Sequence, residues 1–293
     1  MVKWRGIRWS VHPLFVLVMA ASVLTGYFIE LFTLFLIVIV HEAGHVLVAR
    51  YFGWHIREVK LLPFGGVAEV EDAGSLPAGE DALVAIAGPL QNVWMGLAAW
   101  GLGQLGLWDP EWSAYVVQAN MMIGLFNLLP IYPLDGGKLL QAALSYSLSF
   151  FSVMRWTARI SLVLSSFMIV VSLLGLLRPG GNIQINLLII GTFLFMTNWT
   201  YNRSIPYLFI RFLMHRDQVA IRKMAQGVLA SPIVVDGRQS AVYAVRLLWR
   251  ERYHLFYIME RGSSIAKVAP EKRVVDRYLL ERNPNRPVIE LLP

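Results

Sequence analysis

Residues 37–49 read Ile37-Val38-Ile39-Val40-His41-Glu42-Ala43-Gly44-His45-Val46-Leu47-Val48-Ala49. They lie inside a longer apolar run, Leu31–Tyr51, which as a helix is long enough to span a bilayer. On a helix, positions i and i+4 share a face, so His41 and His45 can bind one metal ion together. Glu42 stands one residue along, beside the metal, where it can take a proton from metal-bound water. The alternative is a chance His-Glu-x-x-His match. The apolar setting argues against it, because ionisable groups at membrane depth are costly and mark function.

That setting extends through the chain. Of 293 residues, 56% are hydrophobic and the mean hydropathy is +0.54. This describes an α-helical polytopic membrane protein rather than a soluble domain. There is no cysteine, so disulfides and Cys-based zinc sites are excluded and any metal is held by His and carboxylate. The net charge of +7 is lopsided: residues 1–205 hold 11 Lys/Arg and 11 Asp/Glu, and residues 206–293 hold 15 and 8. A basic tail after the last span reads as a cytosolic domain near the anionic lipid of the bilayer. No recognition motif accompanies the charge, so direct nucleic-acid binding is not expected.

About six transmembrane helices are expected. The first is Pro13–Phe28, ending before Glu30. Lys3, Arg5 and Arg8 ahead of it resemble a signal-peptide flank, but the apolar stretch continues past Ala21 without a clear cleavage site, so it reads as an uncleaved span. Leu31–Tyr51, Asp81–Leu105, Trp112–Leu129, Trp156–Leu177 and Ile183–Trp199 follow, with a short interfacial helix at Lys138–Phe151. Ile56–Leu62 and Val67–Val70 flank Pro63 and Gly65-Gly66 and read as a short β-hairpin at the membrane surface. With the N-terminus in the cytosol, the outside loops carry only Arg178, which satisfies the positive-inside rule. Both termini are then cytosolic, and the metal motif sits toward the cytosolic end of the second span.

The expected organisation is a membrane-embedded region at 1–205, a linker at 206–222 opening with Pro206, and a cytosolic module at 223–293. In the module, Ile233–Val235, Ala241–Arg252, Leu255–Met259, Ile265–Val268 and Val274–Glu281 read as β-α-β-β-α, a small α/β fold. His254 and Tyr257 read as part of its core.

Two histidines do not complete a catalytic zinc site, which usually has three protein ligands and a water. None of His12, His55, His215 and His254 stands at membrane depth beside a second motif. Asp135 does stand out, in Asn127-Leu128-Leu129-Pro130-Ile131-Tyr132-Pro133-Leu134-Asp135-Gly136-Gly137-Lys138. This stretch follows the fourth span and so reaches the same side as His41 and His45. Its prolines break the helix and its glycines permit close backbone approach. Asp135 reads as the third ligand, or as the N-cap of the short helix that follows.

Together, His41-Glu42-Ala43-Gly44-His45 and Asn127-x-x-Pro130-x-x-Pro133-Leu134-Asp135-Gly136-Gly137 resemble the site-2 protease family of intramembrane zinc proteases, over about residues 1–200. Gly88-Pro89 and Asn92 match a Gly-Pro-x-x-Asn pattern of that family, which close helix packing explains equally well. The six-span layout and the C-terminal module, which resembles a single CBS domain, point within the family to the stage IV sporulation FB type of endospore-forming bacteria.

The resemblance implies Zn²⁺ held by His41, His45 and Asp135, with Glu42 as the catalytic base. Asn127 would orient the substrate backbone or stabilise the oxyanion; a cap at the end of the fourth span is its other reading. It implies cleavage of a membrane-associated protein near the cytosolic surface, the pro-sequence of a sporulation sigma factor, on the mother-cell side of the forespore membrane. It implies inhibitory membrane protein partners, ATP or another adenine nucleotide at the CBS-like domain, and a homo-oligomer formed as such modules pair. The stretch Ile56–Val70 either adds an unwound substrate segment as an edge strand or is a surface hairpin without substrate contact. A non-proteolytic metal-binding transporter or pseudoprotease would use the same ligands. Glu42 separates the two, since only a hydrolase needs a proton acceptor beside its histidine pair.

Overall fold

A computed structural model describes residues 2–4, 7–11, 23–62, 65–70, 76–177, 182–227, 229–260, 265–280 and 285–291. The chain forms two compact units: residues 1–73 with 79–139, and residues 74–78 with 140–293. Among the described residues three helices are long and apolar enough to cross a membrane: α1 (Phe28–Tyr51), α2 (Ala78–Gln104) and α5 (Phe150–Leu174). The first span expected at Pro13–Phe28 lies largely outside the described residues.

In the first unit, α1 begins earlier than the apolar pattern suggests. Glu30, read as a break, stands in its first turn, where a carboxylate suits the positive end of the helix dipole. The helix stops at Gly53, whose φ of +76° is left-handed. Gly53 N–H donates to Arg50 O and Trp54 N–H to Ala49 O, a Schellman motif that satisfies carbonyls the helix leaves open. Helix α3 (Pro110–Asn127) starts where the Asp109 carboxylate accepts from the N–H groups of Glu111 and Trp112, with Pro110 pre-set for the first turn. The three helices meet through small residues: a Cβ on Gly44 would strike the Ala87 carbonyl, and Ser113 Oγ donates to Ala99 O. Ile37, Ala99, Val116 and Ala119 form the apolar core between them.

The hairpin is present, as β3 (Ile56–Leu62) and β4 (Gly65–Val70), but it belongs to a larger sheet. Strands β1 (Val2–Trp4) and β2 (Ile7–Val11) join it in the order β1-β2-β3-β4. The β2–β3 pair is parallel and the other two are antiparallel. After α3, a short non-helical segment leads into α4 (Asp135–Ser145).

In the second unit, α5 packs on α6 (Ile185–Gln226), a helix of 42 residues that contains Pro206. Residues 206–222, expected to link two regions, are helical and continue α6. The module that follows has the expected order: β5 (Ala230–Asp236), α7 (Ala241–Arg246), β6 (Tyr253–Met259), β7 (Ile265–Pro270), α8 (Glu271–Leu280) and a final turn α9 (Val288–Leu291). Its sheet runs β5-β6-β7, with β5 parallel and β7 antiparallel to β6. A parallel pair needs a crossover, which α7 supplies. Phe151, Phe209 and Phe212 of α5 and α6 share one apolar cluster with Val235, Phe256, Ile258 and Val274.

Arg216 of α6 is buried against this module. Its guanidinium makes two 3.0 Å hydrogen bonds to the Glu271 carboxylate and donates to the carbonyls of Trp249, Arg250 and Arg252. Glu271 also accepts from His254 N–H at 2.9 Å. Burial, with Arg216 and Arg252 nearby, depresses the His254 pKa against the opposing pull of Glu271. Burial resists ionisation of Glu271, yet His254 and Arg216 hold its carboxyl below the usual range. His254 is thus a core residue, as expected.

Candidate active site

Helix α1 puts His41 and His45 on one face, one turn apart, with both rings buried. Their Nε2 atoms are 3.2 Å apart. Asp135 opens α4, and its Oδ2 lies 3.1 Å from each of those nitrogens. Its other oxygen lies 3.3 Å from the Lys138 ammonium. Asp135 is thus a residue of the helix's first turn whose carboxylate faces both histidines. One carboxylate oxygen of Glu42 and one ring nitrogen from each histidine lie within 4.8 Å of one another.

The loop that delivers Asp135 is folded tightly onto the end of α3. A Cβ on Gly136 would lie 2.1 Å from Leu128 O, and one on Gly137 would lie 2.5 Å from Tyr132 N. No other residue fits at either position. Ile131 is buried beneath the turn, and Leu134 N–H donates to Ile131 O at 2.9 Å. Asn127 closes α3, with its Nδ2 donating to Ile123 O at 3.0 Å.

The second contribution comes from α2. His45 Nδ1 donates to Val84 O at 2.6 Å, and His41 Nδ1 to Asn92 Oδ1 at 2.6 Å. Between these partners, Gly88 lets the α2 backbone lie against both rings, and Pro89 removes a helical N–H from the same turn. The Gly-Pro-x-x-Asn pattern is thus part of the site.

With both Nδ1 atoms protonated, each Nε2 carries a lone pair. Two lone pairs and a carboxylate oxygen then face one another at 3.1–3.2 Å. Three acceptors converging in a buried place call for a cation between them. A tetrahedral ion with bonds of about 2.0–2.1 Å sets its ligand atoms about 3.3–3.4 Å apart. Two imidazoles and a carboxylate, with the spare imidazole nitrogens anchored by carbonyl oxygens, is a donor set that suits zinc.

The sequence profile of peptidase family M50 matches residues 29–108 and 104–172. Stage IV sporulation protein FB of Bacillus subtilis is 32% identical over 298 residues, covering 100% of this chain and 99% of that protein. The chain belongs to peptidase family M50. A zinc metalloprotease of Methanocaldococcus jannaschii is 31% identical over 186 residues, 59% of this chain and 53% of that one. The solved structure of a site-2 protease from Methanocaldococcus jannaschii superposes with a TM-score of 0.55 at 29% identity, covering 69% of this chain and 94% of that chain. As a member of M50, the chain is a metalloprotease of the site-2 type, and its long apolar helices fit that family's place in the membrane.

Proposed function

We propose that the chain is an intramembrane zinc endopeptidase that cleaves a membrane-associated protein near the cytosolic membrane surface, and that its substrate is the pro-sequence of a sporulation sigma factor. The observation that carries this reading is the meeting of His41 Nε2, His45 Nε2 and Asp135 Oδ2 beside Glu42. In this reading those three residues hold Zn²⁺, which when bound supplies the Lewis acidity that polarises a scissile carbonyl and acidifies a water. Glu42 accepts the proton at its carboxylate and returns it to the leaving amine. Asn127, at the end of α3, orients the substrate backbone or stabilises the oxyanion.

The substrate must be extended at the scissile bond, because a helix occupies its amides in hydrogen bonds. In the sheet order β4 is an outer strand, which supports the addition of an unwound substrate segment along its edge. Full-length similarity to a stage IV sporulation protein supports a role in sporulation; the sigma-factor substrate and the forespore membrane follow from the family resemblance of the two sequence motifs. The same reading takes six spans with both termini cytosolic and a membrane region at 1–205. It takes residues 223–293 as a CBS-like module, joined through 206–222, that binds an adenine nucleotide and pairs with a second copy. Inhibitory membrane proteins hold the enzyme off until its substrate is needed.

Co-expression with a candidate pro-sigma factor tests this, comparing wild type with Glu42→Gln and assaying metal in both. Cleavage lost with zinc retained is the expected result. Unchanged cleavage by Glu42→Gln removes Glu42 from the mechanism. Zinc on the wild type without cleavage of the candidate pro-sigma factor overturns that substrate assignment, and a flux assay then tests metal transport.

A further inference from the structure

Resting on the zinc reading above, we infer that Asn92 and Asn120 are positioning residues that lock His41 in the tautomer a metal requires. A neutral imidazole ligates through the ring nitrogen that lacks a proton. Which nitrogen that is depends on the partner of the other one. For His41 the partner is the Asn92 carboxamide, and a carboxamide has two faces. With Oδ1 toward the ring, Nδ1 is protonated and Nε2 is free. Flipped, Asn92 would offer N–H, draw on the Nδ1 lone pair and leave the proton on Nε2, where the metal belongs.

Asn120 of α3 decides between the two. Asn92 Nδ2 donates to Asn120 Oδ1 at 3.3 Å. Asn120 Nδ2 donates to Val116 O at 2.9 Å. A backbone carbonyl can only accept, so it fixes the face that Asn120 turns toward it. That sets Asn120 Oδ1 toward Asn92, Asn92 Oδ1 toward His41, and the proton on His41 Nδ1. The polarity therefore runs one way, from a main-chain carbonyl on α3 through α2 to the ring on α1. His41, Asn92 and Asn120 are 2%, 3% and 1% exposed, so bulk water does not compete along the relay. Gly124 keeps the space beside Asn92 open: a Cβ on it would meet Asn92 Cβ at a tight 3.3 Å. His45 needs no relay, because its partner, Val84 O, is itself a main-chain carbonyl.

A pair of buried asparagines also glues helices together in a membrane, and the test separates the two roles. Zinc affinity is measured by chelator competition on the full chain in detergent. Asn92→Leu should weaken zinc by about 10- to 100-fold, and Asn120→Leu by about tenfold, the lower end of the range for groups that orient a ligand. Asn92→Asp, an acceptor on every face, should bind zinc at least as tightly as wild type. The deciding variant is Asn92→Asp with Asn120→Leu. No carboxamide is left to flip, so its affinity should equal that of Asn92→Asp alone. A further tenfold loss in this double variant means that Asn120 acts by packing and overturns the inference. So does unchanged affinity in Asn120→Leu. If Asn120→Leu does not fold, Asn120→Asp replaces it: its neutral carboxyl donates to Val116 O and accepts from Asn92, so zinc affinity should hold, and a loss overturns the relay. A wild type that binds no zinc overturns the metal reading itself, an outcome distinct from all the others.

Discussion

Gly88 lies flush against His45: a Cβ built on it would stand 2.2 Å from His45 Nε2, and 2.6 Å from His41 Nε2. Both rings are held from behind, by Val84 O and Asn92 Oδ1, so neither can retreat without breaking a buried hydrogen bond. Mid-helix, alanine is otherwise preferred to glycine by about 1 kcal/mol. Gly88→Ala should therefore leave α2 formed and abolish zinc binding and cleavage. Metal content of the purified variant checks this, and full zinc occupancy would sink the argument.

Removing the metal should loosen the first unit. A ligand that binds only the folded state stabilises it by about 2.7 kcal/mol at a hundredfold excess over its Kd. A chelator should lower the unfolding temperature of wild type and abolish cleavage, and added zinc should restore both. Asp135→Ala should remove the chelator's effect on unfolding, because the site it empties is already broken.

In the second unit, Arg216→Ala strands a buried carboxylate. Truncating one member of such a pair costs about 3–5 kcal/mol. The C-terminal module of that variant should become sensitive to trypsin under conditions where wild type resists. Arg216→Lys should not rescue it, since an ammonium cannot make the paired contacts of the guanidinium. Replacing both partners, as Arg216→Met with Glu271→Leu, should be milder than either single change.

The same network gives a pH dependence of known sign. The His254 pKa is lowered in the folded state, so the unfolded chain takes up the proton first. The contribution is fully present above the unfolded value of 6.5 and is lost as pH falls below it. The lowered pKa of Glu271 acts in the same direction, below its unfolded value of 4.5. Hydrogen-exchange protection of β6 amides should therefore decline from pH 7 to 5. His254→Gln should flatten the upper part of that decline, and an unaltered slope would rule out His254 as its source.

The residues proposed to hold zinc, and Glu42, are legible because their spacing carries their chemistry: His41 and His45 one turn apart, and Asp135 in a loop broken by prolines and glycines. Asn92 was visible as part of a pattern, but its partner was not, since nothing in the local sequence sets the register of α2 against α1. Asn120 left only a weak signal, an amide in an apolar helix, which membrane cost makes suspicious. Arg216 was hidden in a basic stretch, where one charge among many gives no sign of burial. Strands β1 and β2 do not stand out in the sequence because Lys3, Arg5 and Arg8 also fit a topology signal ahead of a span. The alternation Ile7-Arg8-Trp9-Ser10-Val11 has the period of a strand. The β-α-β-β-α order of the module was legible in full, because its strands are short, apolar and separated by clear turns.

Helix α6 is 42 residues long, about 63 Å at 1.5 Å per residue, and Arg216 fastens it inside the module. Mechanically it is a lever arm with its short end clamped. A tilt of about 10° at Arg216 sweeps Ile185, about 45 Å away, through about 8 Å. A small reorientation of the module would thus be magnified along α6 together with α5, which packs on it. Spin labels at residues 190 and 214 should stay about 36 Å apart while the rod swings. A shorter separation would place a joint at Pro206 and remove the leverage.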